Sequence, residues 1–176
     1  FEVCGRGELH LTILLENMWA EHRDPAIAQS YAAAVKMLKD SGYRVYELPI
    51  ERECRALLTT AFRHDGPTLV RYPRGSGLGT VPGSDLDTLP FGKGEIRRHG
   101  EQVALLAFGS LLGAALGAGD ELNATVANMR FVKPLDVDLI AALAGNHSLL
   151  VTLEENAVIG GAGSEVERVL AERGLA

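Results

Sequence analysis

Cysteine is scarce in this chain, with only Cys4 and Cys54 among 176 residues. That excludes a disulfide framework, and neither residue has metal-ligand spacing, so both read as small reduced core residues. No run of eighteen apolar residues occurs, which excludes a membrane-spanning helix. Basic residues are the minority, 17 Lys and Arg against 23 Asp and Glu, and the net charge of −6 argues against nucleic acid as a general partner. A local anion site stays compatible with that balance. No Walker-type Lys-Ser/Thr follows a glycine run, and no GxGxxG follows a strand. His10, His22, His64, His99 and His147 are isolated in sequence, without zinc spacing, so each reads as non-catalytic. The chain opens on Phe1 with no initiator Met or signal-peptide core and ends just after EVERVLAERGLA, so an incomplete piece of a longer α/β protein is expected. What is present is a 47% hydrophobic composition, enough for a packed interior and too rich for collagen or a disordered tail.

Hydrophobic periodicity sorts the chain into alternating elements. FEVCG reads as a short strand, and residues 8–22 as a helix with Leu11, Leu14, Leu15 and Met18 on one stripe widened by Trp19. Asp24 and Pro25 open a second helix that Gly42 ends, followed by the strand YRVYELP. ERECRALLTTAFRH predicts a third helix with Leu57, Leu58, Ala61 and Phe62 on one side, and TLVRYP a strand after the Asp65-Gly66 turn. Six glycines and two prolines between Gly75 and Gly94 mark a linker, where the main domain boundary is expected. Beyond GEIRRHGE come the buried strand VALLAFG, a helix around LLGAALGAGDEL and the strand ATVANMRFV. A helix capped by Asp136 and closed by Gly145, the strand SLLVTLEE and a last helix complete the series. Ser164 with Glu167 suggests a capping box there, and Gly160, Gly161 and Gly163 allow a tight entry. The pattern implies an α/β fold with a parallel-rich sheet.

The chemical signals are few. Arg71 and Arg74 flank a strand end in RYPRG, where paired guanidiniums could hold a phosphate or carboxylate; equally, they could be solvated or paired with Asp65 or Glu51. GGAGS could cradle an anion at a helix N-terminus, but a structural turn explains it more simply. Glu154 and Glu155, adjacent on a strand, point to opposite faces, which argues against an acid/base pair and makes them surface or interface groups.

From Glu51 onward, ERECRALL, DGPTLVRYPRGSGLG, LPFGKGEIRRHGE, VALLAFGS, LNATVANMRFVKPLD and LLVTLEENAVIGGAGS occur in an order that resembles the 1-deoxy-D-xylulose 5-phosphate synthases. These are thiamine diphosphate enzymes of the transketolase group. The resemblance implies that residues 51–74 end a pyrimidine-binding domain, that 75–92 link it onward, and that 93–176 form a truncated transketolase-type C-terminal domain. That domain would be a three-layer α/β sandwich preceded by an incomplete α/β segment. It also implies that Arg74 helps hold the phosphate of a glyceraldehyde 3-phosphate acceptor, and Arg71 stays a candidate for the same site from the guanidinium pairing. The implied parent reaction is decarboxylation of pyruvate and transfer of its two-carbon unit to that acceptor, in the cytoplasm, toward isoprenoid precursors.

Thiamine diphosphate and Mg belong, in that family, to a domain this chain does not match, and the glutamate that activates the cofactor lies upstream of the matching region. The chain alone is therefore expected to bind neither and to lack catalytic residues. Residues 1–18, FEVCGRGELHLTILLENM, resemble instead TypA/BipA, a ribosome-associated translational GTPase, without its nucleotide motifs; 19–50 match neither family. The expectation is a chimeric or partial synthase whose partner is a phosphorylated small molecule, with a homodimer compatible and neither nucleic acid nor membrane involved. A non-catalytic packing or dimerisation module, or an artificial chimeric α/β domain, is the alternative.

Overall fold

The computed structural model describes residues 50–72 and 85–175. The predicted strands FEVCG and YRVYELP, the helices of residues 8–22 and 24–42, and Arg74 lie outside them, as does the TypA-like segment. The chain divides into two compact units, Phe1–Val70 with Arg74–Asp87, and Arg71–Pro73 with Thr88–Ala176.

In the first unit, helix α1 spans Ile50–Arg63 as its periodicity predicts. The expected stripe is not its buried face, however. Thr60 is the buried position, its hydroxyl donating to Ala56 O at 2.7 Å, whereas Phe62 is 91% exposed. A period of 3.6 fixes which residues share a face, not whether anything covers it. The strand expected at TLVRYP is also absent: residues 67–72 make no ladder, and Leu69 is 90% exposed. Alternating apolar residues become a strand only where a neighbour supplies hydrogen-bond partners.

The second unit is a mixed four-stranded sheet. β1 (Glu95–Arg98), β2 (Val103–Ala107), β3 (Thr125–Asn128) and β4 (Leu149–Leu153) lie in the order β1-β3-β2-β4. β2 runs parallel to both β3 and β4, with Ala104 beside Thr125 and Leu150, and β1 pairs antiparallel to β3 with Glu95 opposite Asn128. A 3₁₀ turn, Gly109–Leu111, leads from β2 into α2 (Leu112–Leu122); α3 (Val137–Asn146) follows β3, and α4 (Ala162–Glu172) follows β4. This is the predicted strand-to-helix succession, in three layers.

Alternation within the strands builds both layers of core. Ala104, Leu106, Ala127 and Met129 pack with Ile140 and Leu143 of α3 and with Ala162, Val166 and Val169 of α4. α2 packs on strands β1, β2 and β3. Its Gly119 lies so close to β3 that an added Cβ would sit 2.5 Å from Val126 Cγ2.

β3 stops earlier than ATVANMRFV suggests. Arg130 adopts a left-handed φ of 54°, and the Phe131 N–H turns back to Met129 O, so the chain leaves the sheet plane after Asn128. Arg130 then reaches Glu95 Oε2 at 2.5 Å, tying this turn to β1.

Candidate functional site

The carboxyl ends of the parallel strands are where open α/β sheets place ligands. Here Glu154 leaves β4 and turns inward: its Oε2 accepts the Ala162 N–H at 2.9 Å and its Oε1 the Gly163 N–H at 2.8 Å. The helix terminus that the GGAGS motif builds is thus filled by the chain's own carboxylate, which matches the positive end of the helix dipole. Gly161, the residue before α4, must be small, because a Cβ there would meet Ala157 O at 2.2 Å and Glu154 Oε1 at 2.5 Å. The predicted capping box is corrected. Ser164 already lies inside α4, and its hydroxyl serves the preceding loop instead, accepting from Gly160 N–H at 3.1 Å and donating to Val158 O at 2.6 Å.

Glu154 is therefore a structural group, not the surface or interface group expected. Glu155 does diverge from it, as strand geometry required, and stays exposed, accepting the Ser110 hydroxyl at 2.5 Å across the ends of β2 and β4. The two glutamates do not converge on one point. Of the arginine pair, Arg71 is exposed, and Arg74 falls outside the described residues.

A second locus lies at the opposite end of the parallel strands, where a cleft of about 330 Å³ is lined by residues that include Ile96, His99, Thr125, Leu139, Leu143 and His147. His147 follows the C-terminus of α3. Its Nδ1–H donates to Leu143 O at 2.9 Å, and its Nε2 meets the Thr125 hydroxyl at 2.8 Å; that hydroxyl in turn accepts from Gly100 N–H at 2.9 Å. A histidine isolated in sequence thus bridges a helix end to β3, a packing role that spacing alone would not reveal. His64 is exposed, and Cys54 is a half-buried free thiol on α1.

Asp136 does cap α3 as predicted, accepting from Leu139 N–H at 3.2 Å, and it does more. It also holds the chain entering β1, accepting from Gly94 N–H at 3.0 Å and from Lys93 Nζ at 3.0 Å, while Lys93 reaches Asp138 as well. Burial would raise the Asp136 carboxyl, but the hydrogen bonds from Lys93, Leu139 and Gly94, with the Lys93 charge, outweigh it and hold it below its ordinary value. Lys93 is raised correspondingly, chiefly by its bonds to Asp136 and Asp138. Arg98 makes a similar tie to the end of α2, with Asp120 at 2.7 Å and Ala124 O at 2.6 Å. These ties join residues tens of positions apart.

Among the described residues no side-chain polar atom is buried without a partner, and no group of three or more His, Cys, Asp or Glu could hold a metal. Among those residues, too, no helix is long and apolar enough to cross a membrane.

Residues 92–176 match the family described as transketolase, C-terminal domain. Over 125 residues, 71% of this chain, the sequence is 74% identical to a 1-deoxy-D-xylulose-5-phosphate synthase of Dechloromonas aromatica, covering 20% of that protein. Over 118 residues it is 70% identical to the synthase of the same name from Azoarcus sp., covering 67% of this chain and 19% of the relative. The chain thus spans about a fifth of the length of these relatives. A solved split-gene transketolase, described as an inactive beta4 tetramer, aligns over 48% of this chain and 30% of its own at 36% identity, with a TM-score of 0.47.

Proposed function

We propose, from the premise that residues 92–176 are a transketolase C-terminal domain, that this chain is the C-terminal part of a 1-deoxy-D-xylulose-5-phosphate synthase. The observation that carries the reading is the 74% identity over 125 residues to a curated synthase. The whole enzyme would decarboxylate pyruvate and join its two-carbon unit to glyceraldehyde 3-phosphate in the cytoplasm.

Within that enzyme the domain's part is architectural. Thiamine diphosphate with Mg would supply the carbanion chemistry from another part of the full protein. The glycine-rich terminus of α4 holds the carboxylate of Glu154 in the place of an external anion. No step is assigned through the cofactor to this chain. Arg74, with Arg71 beside it, would grip the acceptor phosphate, since a guanidinium pairs such an oxyanion through parallel N–H bonds.

A transplant tests the reading. The stretch of the Dechloromonas aromatica synthase that aligns with this chain is replaced by residues 51–176, and turnover of pyruvate with glyceraldehyde 3-phosphate is measured. The expected result is an active chimera, with no turnover by the 176-residue chain alone. A folded chimera that binds thiamine diphosphate yet turns nothing over would overturn the assignment, and turnover by the chain alone would overturn its partial character.

A further inference from the structure

Residues 91–94 lead the chain into β1 without joining a ladder. They lie instead against the stretch that leaves β3 and opens α3. The Phe91 ring stands edge-on to Phe131, with centroids 5.5 Å apart. Gly92, buried and at a φ of 70°, comes so close to Pro134 that an added Cβ would be 2.8 Å from its Cγ. Lys93 reaches Asp136 and Asp138, Gly94 N–H reaches Asp136, and Glu95 holds Arg130. LPFGKGE and RFVKPLD, two stretches that carry the family resemblance, are thus the two halves of one clasp.

Asp136 is the centre of that clasp. Its buried carboxylate accepts from Lys93 Nζ, Gly94 N–H and Leu139 N–H. Leu139 belongs to the helix that Asp136 caps, so its bond is indifferent to the clasp; the other two cross to the entering segment, and any lifting of that segment breaks both. The clasp buries little beside the sheet. Phe91 is 44% exposed and the Lys93 side chain 50%, whereas Ala104, Leu106 and Val126 are fully buried. A segment held largely by side-chain bonds at the surface opens more readily than a strand inside a ladder.

We propose that residues 89–94 form a strap that opens as a unit of its own while the sheet stays folded, and that Asp136 latches it shut. Open, the strap frees six residues, about 20 Å of extended chain, ahead of β1. The second unit thereby has two tether lengths to the chain before it, short when the strap is latched and long when it is free. The inference rests on contacts inside the second unit and not on the synthase reading, so failure of the transplant would leave it standing.

Native-state hydrogen exchange of the full 176-residue chain, resolved by residue over a series of low urea concentrations, tests the strap. The Gly94 amide, bonded to Asp136, reports the strap, and the Leu105 and Leu106 amides of the central strand report the sheet. Gly94 is expected to be protected, but about a hundredfold less than Leu106, and to respond weakly to urea where Leu105 and Leu106 respond steeply. Two variants separate the openings. Val166→Ala, in the core under α4, should speed Leu105 and Leu106 about tenfold and leave Gly94 unchanged, since an open strap keeps that core intact. Lys93→Met, which keeps the aliphatic stem and removes the bonds to Asp136 and Asp138, should speed Gly94 about tenfold. Should Val166→Ala fail to fold, Val169→Ala on the same helix takes its place with the same expectation. A Gly94 amide that exchanges at the unstructured rate, that shares the urea dependence of Leu106, that accelerates with the core variant as much as the sheet does, or that ignores Lys93→Met would overturn the proposal.

Discussion

Glu154, the residue after β4, accepts the backbone N–H of Gly163 nine positions later at 2.8 Å, and with its other oxygen the N–H of Ala162. One carboxylate thereby satisfies two of the donors that a helix start leaves open. Glu154→Ala should cost about 1–3 kcal/mol in urea-induced unfolding, because it leaves those donors without their acceptor. Glu154→Gln, which keeps one acceptor oxygen, should lose less. A loss within error for both variants would mean that the motif closes without this cap.

Two glycines in α2 provide opposite outcomes in one helix. A Cβ at Gly119 would be 2.5 Å from Val126 Cγ2, whereas one at Gly117 would meet nothing within 4 Å. Gly117→Ala is expected to stabilise the chain by about 0.5–1 kcal/mol through helix propensity. Gly119→Ala should destabilise it by about 1–3 kcal/mol by forcing helix and sheet apart. Thermal unfolding of the pair measures the difference, and equal shifts would contradict the packing of α2 on β3.

The contrast between Asp136 and Glu154 illustrates how far the sequence is legible. Asp136 announces itself as a cap because its bond to Leu139 lies three residues away, within the reach of local pattern. Its ties to Lys93 and Gly94 span more than forty positions and depend on the sheet bringing β1 beside β3. Glu154 escapes sequence reading for a related reason: alternation tells which way a side chain leaves a strand, but not that a helix start eight residues on folds back to meet it. The buried strand VALLA is readable from composition, because it lies inside a parallel ladder between β3 and β4, while LLVTL, at most half-buried, is readable as a strand from its apolar run. TLVRYP has similar composition and no ladder. Family resemblance supplied what physics alone did not, since no spacing distinguishes Arg74 from an ordinary surface arginine.

Asp136 also sets a pH dependence. Its folded carboxyl titrates below its ordinary value of 3.8, so the unfolded chain binds that proton first as pH falls. The stabilisation is complete above the unfolded value and disappears as pH drops through the folded one. Unfolding followed between about pH 6 and pH 2 should show the acid limb becoming shallower in Asp136→Asn. The neutral-pH stability of that variant should fall by about 1–2 kcal/mol with the cap and the Lys93 tie. An unchanged acid limb would assign the stabilisation to some other carboxylate.

The His147–Thr125 bond calls for a double-mutant cycle. His147→Ala and Thr125→Val each remove one end of a 2.8 Å contact between the end of α3 and β3. If the bond couples them, the double variant should be less destabilised than the sum of the single variants by about 0.5–1.5 kcal/mol in denaturant unfolding. Thr125→Val also frees Gly100 N–H, so the Thr125 single variant should be the costlier of the two. Strict additivity would mean that the two side chains are neighbours without energetic coupling.

Arg74 offers the sharpest test of the synthase reading, because the two substrates of the implied reaction differ in charge. Only glyceraldehyde 3-phosphate carries a phosphate, so a guanidinium that grips phosphate acts on one KM and not the other. In the transplanted synthase, Arg74→Ala should raise the KM for glyceraldehyde 3-phosphate by roughly ten- to a hundredfold, the loss of one charge-assisted pair, and leave that for pyruvate nearly unchanged. Arg74→Lys should recover part of the affinity, since the charge remains but the paired N–H geometry does not. Equal effects on both substrates would instead indicate a general disturbance around RYPRG, and the phosphate-binding assignment of Arg74 would fall while the domain assignment stood.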